Sequence, residues 1–185
     1  MGRLTAILTA VLTGLIGAAV LHIVIILALP HFTGKDAYTR VRSEGAANRF
    51  HLLDAAPDRL GLANTDPYLR TAVCHFETRD RAVRLTAPAN AGFWSLAVYD
   101  RNSNEVFSMN DRTSVDGTLD VVVASPVQVA RLRRQPPEAL SDAIIIEIAV
   151  PAGYAVLRTL APQASFESGA VAFLSAAGCL ALPVN

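Results

Sequence analysis

Between Arg3 and Lys35 the chain carries no Asp, Glu, Lys or Arg, and over residues 4–30 His22 is the sole ionisable side chain. The stretch from Leu4 to Pro30 reads LTAILTAVLTGLIGAAVLHIVIILALP. A helix crosses the hydrocarbon of a bilayer with roughly 20 apolar residues at 1.5 Å each, and this run is longer. A cleavable signal has an apolar region of about 7–15 residues followed by small residues at the cleavage point. Here no Ala-x-Ala step closes the run. The pattern predicts a retained spanning helix over residues 4–29, ended by Pro30, because a proline cannot continue a helix.

Orientation is set by two opposing signals. Lys35, Arg40 and Arg42 follow the run while Arg3 precedes it, and basic residues prefer the cytoplasmic side. A start-anchored span with almost no N-terminal tail is the usual tether of an exported body. The expectation is a single pass in the inner (cell) membrane with the body in the periplasm. Within the span, Ala10, Gly14 and Ala18 form a stripe of small residues that His22 extends. Such a stripe lets two helices approach closely and is a candidate homodimer face. With no acidic partner in the span, His22 does not read as a proton relay.

The remainder of the 185 residues suffices for one core of ordinary size. Its neutral balance, 16 basic against 16 acidic residues, gives no electrostatic footprint for nucleic acid. Three regions are expected: an anchor over 1–34, a juxtamembrane helix and linker over 35–68, and a β-rich domain over 69–185. In the second, Tyr38, Val41, Ala46, Phe50 and Leu53 fit one helical face approximately, before the turn-rich DAAPDRLGLANTDPY. In the third, TAVCHFET alternates, with Ala72, Cys74 and Phe76 on one face and Val73, His75 and Glu77 on the other. RAVRLTAP follows a short corner, so these two segments read as a hairpin.

FWSLAVYD and EVFSMND form a second hairpin through the polar turn RNSN, with Trp94, Leu96 and Val98 on one face. LDVVVAS and AIIIEIAV flank a short basic helix, YAVLRTLAP returns after PAG, and a terminal helix presents Phe166, Ala170, Phe173, Leu174 and Ala177. The class expected is α+β, mainly antiparallel β in a sandwich-like sheet, with an N-terminal transmembrane helix and a C-terminal packing helix.

DPYLRTAVCHFE, FWSLAVYDRNSNEVFSMNDR, YAVLRTLAP and the terminal FLSAAGC together resemble the bacterial domain-of-unknown-function family 1254, in its short membrane-anchored members. The resemblance covers residues 35 to about 179. It implies a β-sandwich-like domain and a possible protein partner of family 1214 type, and it carries no catalytic residue across.

The chemistry readable from the residues is sparse. Histidines 22, 31, 51 and 75 share no metal-ligand spacing, and Cys74 and His75, adjacent in a strand, face opposite ways. No phosphate loop, nucleophile elbow or zinc-protease motif occurs, so neither metal nor cofactor is implied. His75 reads as an exposed strand residue. If PAGY closes a hairpin from Val150 to Ala155, Glu147 lies opposite Arg158, either as a cross-strand bridge or as the polar floor of a pocket. Arg158, Glu147, Tyr99 and Asp111 are then the ligand-binding candidates. Cys74 and Cys179 are a candidate disulfide tying the end of the chain to its first strand. Two functional classes follow. One is a tethered envelope domain that binds a partner or assembles. The other is a small-ligand binder or hydrolytic enzyme with a polar cleft on the sheet.

Overall fold

The computed structural model describes residues 2–33, 36–53, 66–90 and 92–183, without the side chains of 30–33. The chain divides into two units, 1–36 and 37–185, each described by itself. The first is a helix, α1 (Arg3–Thr33). It continues three residues past Pro30, where the expectation had placed its end. A proline forfeits one backbone hydrogen bond there, and the helix tolerates that loss. Over Arg3–Leu29 α1 is long and apolar enough to cross a membrane, and none of it is buried in the protein. Among the described residues no other helix meets that test.

The second unit is a β-sandwich. Its elements are α2 (Ala37–Ser43), β1 (His51–Leu52), β2 (Leu69–Glu77), β3 (Val83–Ala87), β4 (Trp94–Asp100), β5 (Glu105–Asn110), β6 (Leu119–Ala124), α3 (Pro126–Arg134), a 3-10 turn (Glu138–Leu140), β7 (Ile144–Glu147), β8 (Ala152–Leu160), α4 (Ala164–Ala176) and β9 (Gly178–Ala181). One sheet has the order β1-β2-β8-β4-β5 and is antiparallel throughout. The other has the order β7-β6-β3-β9, antiparallel except for the parallel β6–β7 pair.

Period-two alternation places one face of each strand in the space between the sheets. Ala72, Cys74 and Phe76 of β2, Trp94, Leu96 and Val98 of β4, and Ala155 and Leu157 of β8 meet Val83, Leu85, Leu119, Val121, Val123 and Ile146 from the other sheet. Trp94 is fully buried and its indole N–H donates to the Gly117 carbonyl at 3.1 Å, so its one polar atom is satisfied. α4 touches β1, β2 and β8 of one sheet and β3 of the other, sends Phe173 and Leu174 into the core, and is fixed by Arg70 to Glu167 at 2.7 Å.

Several expectations are corrected. β2 and β3 are not a hairpin: β2 pairs with β1 and β8, while β3 crosses to the other sheet and pairs with β6 and β9. The Arg-Asp corner between them is a passage between layers. The juxtamembrane helix is seven residues, not a helix through Leu53; after it the chain turns through Asn48 at positive φ and enters β1. The expected stripe on α4 is partial, since Ala170, Phe173 and Leu174 are buried while Phe166 is exposed. Of the turn-rich linker expected over 54–68, residues 54–65 lie outside the described residues.

Candidate functional site

The hairpin proposed between Glu147 and Arg158 does not form. Glu147 ends β7 and stands beside Ala124 of β6 in the four-stranded sheet, whereas Arg158 lies in β8 between Thr71 and Ser95 in the five-stranded one. Ile146 and Leu157 both face the core, so alternation turns Glu147 and Arg158 to opposite outer faces of the sandwich. The segment 148–151 crosses between layers instead of turning a hairpin.

Tyr99 shares the outer face of Arg158. It stacks on Tyr154 at 5.0 Å, with ring planes 17° apart. Tyr154 and Arg158 are four residues apart on one strand, a separation of roughly 13 Å. Asp111 follows β5 at the sheet's end, its N–H donating to the Trp94 carbonyl at 3.2 Å. The four ligand-binding candidates therefore do not converge.

Cys74 and Cys179 form a disulfide with Cα atoms 6.6 Å apart. Cys179 lies in β9, a short strand the sequence reading had not recognised, and the bond joins β2 of one sheet to β9 of the other. His75 is 6% exposed, not the exposed residue expected. The segment between α2 and β1 covers it, with the Asn48 N–H donating to its carbonyl at 3.0 Å. Burial, then Arg42 and His51, holds the His75 imidazole below its ordinary pKa, with Glu77 opposing.

What the outer surface does contain is a groove of about 930 Å³ over the four-stranded sheet. Its floor is Ala82, Leu132, Leu140 and Leu182, part of an apolar cluster in which α3 and the 3-10 turn pack on β6 and β7. α3 is fixed by a capping box. The Ser125 hydroxyl accepts from the Gln128 N–H at 3.4 Å, and the Gln128 side-chain oxygen accepts from the Ser125 N–H at 2.9 Å. The Gln128 amide also donates to the Thr78 carbonyl at 2.9 Å, pinning the helix to the β2–β3 corner.

Four arginines line the groove: Arg81, Arg84, Arg131 and Arg134. Arg84 is neutralised by a bidentate pair with Asp120, at 2.8 and 2.6 Å. Among the described residues no carboxylate pairs with Arg81, Arg131 or Arg134. Asp80 is the acidic residue among the described lining. The sequence reading saw α3 as a basic helix but missed the groove. Its second wall comes from Arg81 and Arg84 about 50 residues away, brought to α3 by the Gln128–Thr78 contact and by Ala82 packing in the cluster of Val129 and Leu132. Among the described residues no group of three or more His, Cys, Asp or Glu is placed to hold a metal.

No known family model matches the sequence, and no functionally curated protein does. Two solved structures share the fold. One is the VPA0106 protein from Vibrio parahaemolyticus, with TM-score 0.60 and 14% identity over 80% of this chain and 35% of that one. The other is an uncharacterized protein from Burkholderia cenocepacia, with TM-score 0.50 and 14% identity over 80% of this chain and 37% of that one. The chain thus spans little more than a third of each neighbour, and at this identity the likeness extends to the fold alone.

Proposed function

We propose that this protein is a membrane-tethered binding domain of the bacterial envelope, with its body in the periplasm, and that the arginine-rich groove over the four-stranded sheet is its docking surface. One observation carries the reading. The groove joins an apolar floor to three guanidinium groups that have no carboxylate partner among the described residues, while the polar residues nominated as a ligand cleft lie on different faces. A satisfied, water-facing arginine is ordinary, but three beside a shaped apolar floor favour an anionic, partly apolar partner.

The disulfide supports the exported orientation, since such bonds persist in oxidising compartments. It outweighs the basic residues at positions 35, 40 and 42, whose count favours the opposite side. The resemblance to family 1254 makes family 1214 proteins the first partners to examine.

The test compares the wild-type protein with Arg131→Glu/Arg134→Glu, each purified in mild detergent and analysed by native mass spectrometry. The reading expects a stoichiometric companion on the wild type that the charge-reversed protein loses. A companion retained by both proteins would remove the groove from the reading. Turnover of a bound small molecule would favour the enzymatic alternative.

A further inference from the structure

Two exposed aliphatic side chains carry the apolar character of the groove out to its rim. On β9, Cys179 faces the core, so alternation turns Leu180 to the outer face. There it stands beside Arg84 of β3 and is 64% exposed. Leu182, two residues further on, lines the groove itself. On α3, Val127, Arg131 and Arg134 fall at i, i+4 and i+7, which is one stripe of a helix. Val127 is 63% exposed, and both arginines reach solvent.

The chemistry of the described lining separates the classes of partner. Arg84 is already neutralised by Asp120, and Asp80 is the one carboxylate set among Arg81, Arg131 and Arg134, so positive charge stays in excess. The described lining holds no Trp, Tyr or Phe, whereas protein interfaces concentrate their energy in aromatic as well as arginine anchors. Aliphatic side chains interleaved with guanidinium groups match the boundary between phosphate headgroups and acyl chains. Guanidinium forks take phosphate oxygens in bidentate pairs, while the arginine stems lie along apolar surface. Lipid is also the partner that the tether supplies. A body carried on a spanning α1 meets headgroups at high effective concentration, so a site of modest affinity is filled.

We propose that the groove is a membrane-docking site for an anionic phospholipid of the bilayer, with Arg81, Arg131 and Arg134 on the headgroup phosphate and Val127, Leu180 and Leu182 against the upper part of an acyl chain. The proposal rests on the groove being the docking surface and identifies what occupies it. Docking there adds a second attachment to the bilayer beside the span.

The test uses the full-length protein in nanodiscs of phosphatidylcholine, with and without phosphatidylglycerol. Phenylglyoxal, which modifies accessible guanidinium groups, is the probe, and the rate at each arginine is read by mass spectrometry. Phosphatidylglycerol should slow modification of Arg81, Arg131 and Arg134 by about tenfold, the factor for a lipid present at roughly ten times its Kd. High salt should restore the rates, because exposed charge pairs are screened. Arg112, exposed on the loop after β5, should react at one rate in both kinds of disc. In Arg131→Glu/Arg134→Glu, Arg81 should lose its protection.

The salt comparison on the wild type needs no variant to fold. Equal slowing at Arg112 would mean diffuse adsorption and overturns the site. Glycerol phosphate added to phosphatidylcholine discs, if it slows the three arginines as much as phosphatidylglycerol does, assigns the groove to a soluble anion and overturns the lipid. Unchanged rates with phosphatidylglycerol also overturn the lipid. In that case, a co-purifying protein that Arg131→Glu/Arg134→Glu loses leaves the groove reading standing, and a protein retained by both removes that reading as well.

Discussion

At position 75 an imidazole is buried on the outer face of the five-stranded sheet, with no hydrogen-bond partner for Nδ1 among the described residues. Its neutral form is favoured in the fold, because burial, Arg42 and His51 all lower its pKa from 6.5. The unfolded chain therefore binds more protons than the fold as pH falls below 6.5. The contribution to stability is complete above 6.5 and is lost as pH falls from there through the lower folded value. The expected outcome is a denaturation midpoint that falls with pH below about 6.5 in the wild type and falls less steeply in His75→Gln. Equal slopes for the two proteins would assign the pH response elsewhere.

Asp100 is the opposite case. Burial alone would raise its pKa, but bonds from the Asn104 side chain and from the Asn104 and Asn102 backbones outweigh it and hold the carboxylate ionised. Asp100→Ala should cost about 1–3 kcal/mol by stranding these donors, read as a lower midpoint in urea.

At the scale of elements, alternation was legible and pairing only in part: the β4–β5 hairpin forms through its polar turn as expected, whereas β2 with β3 and β7 with β8 do not pair. The faces of β2 and β4 follow from local periodicity, so Ala72, Cys74, Phe76, Trp94, Leu96 and Val98 could be assigned inward before any partner strand was known. The β7–β8 register failed because a turn-like Pro-Ala-Gly also serves a crossing between sheets, and local sequence does not separate the two. β9 escaped notice because four residues after a helix carry too little pattern to declare a strand. His75 was misplaced because its cover comes from a segment more than twenty residues away in sequence.

One glycine does constrain the packing of β8. Gly153 faces Asp100 and Phe76 in the flanking strands, and a Cβ there would be driven into the Tyr99 carbonyl oxygen, a backbone atom that cannot swing aside. Gly153→Ala should destabilise by about 1–3 kcal/mol. A midpoint in urea equal to that of the wild type would mean that β4 and β8 shift apart freely.

At the scale of the whole molecule, the disulfide and the apolar helix make one joint claim about compartment. The bond closes a separation of 105 residues and holds the two sheets together through β2 and β9. In the chain-entropy model a loop of about that length restricts the unfolded chain by up to about 4.7 kcal/mol. Cys74→Ala/Cys179→Ala should lower stability by a large part of that amount while leaving the core recognisable, because both positions accept a small apolar side chain. The bond needs an oxidising surrounding to persist, and α1 is long and apolar enough to hold the body at a membrane. In intact cells treated with a thiol-blocking reagent before lysis, the protein should show no alkylated cysteine. Alkaline carbonate should leave it in the membrane fraction. Alkylation at both positions together with carbonate resistance would reverse the body to the cytoplasmic side, where Lys35, Arg40 and Arg42 would satisfy the positive-inside preference. Release by carbonate would remove the tether itself.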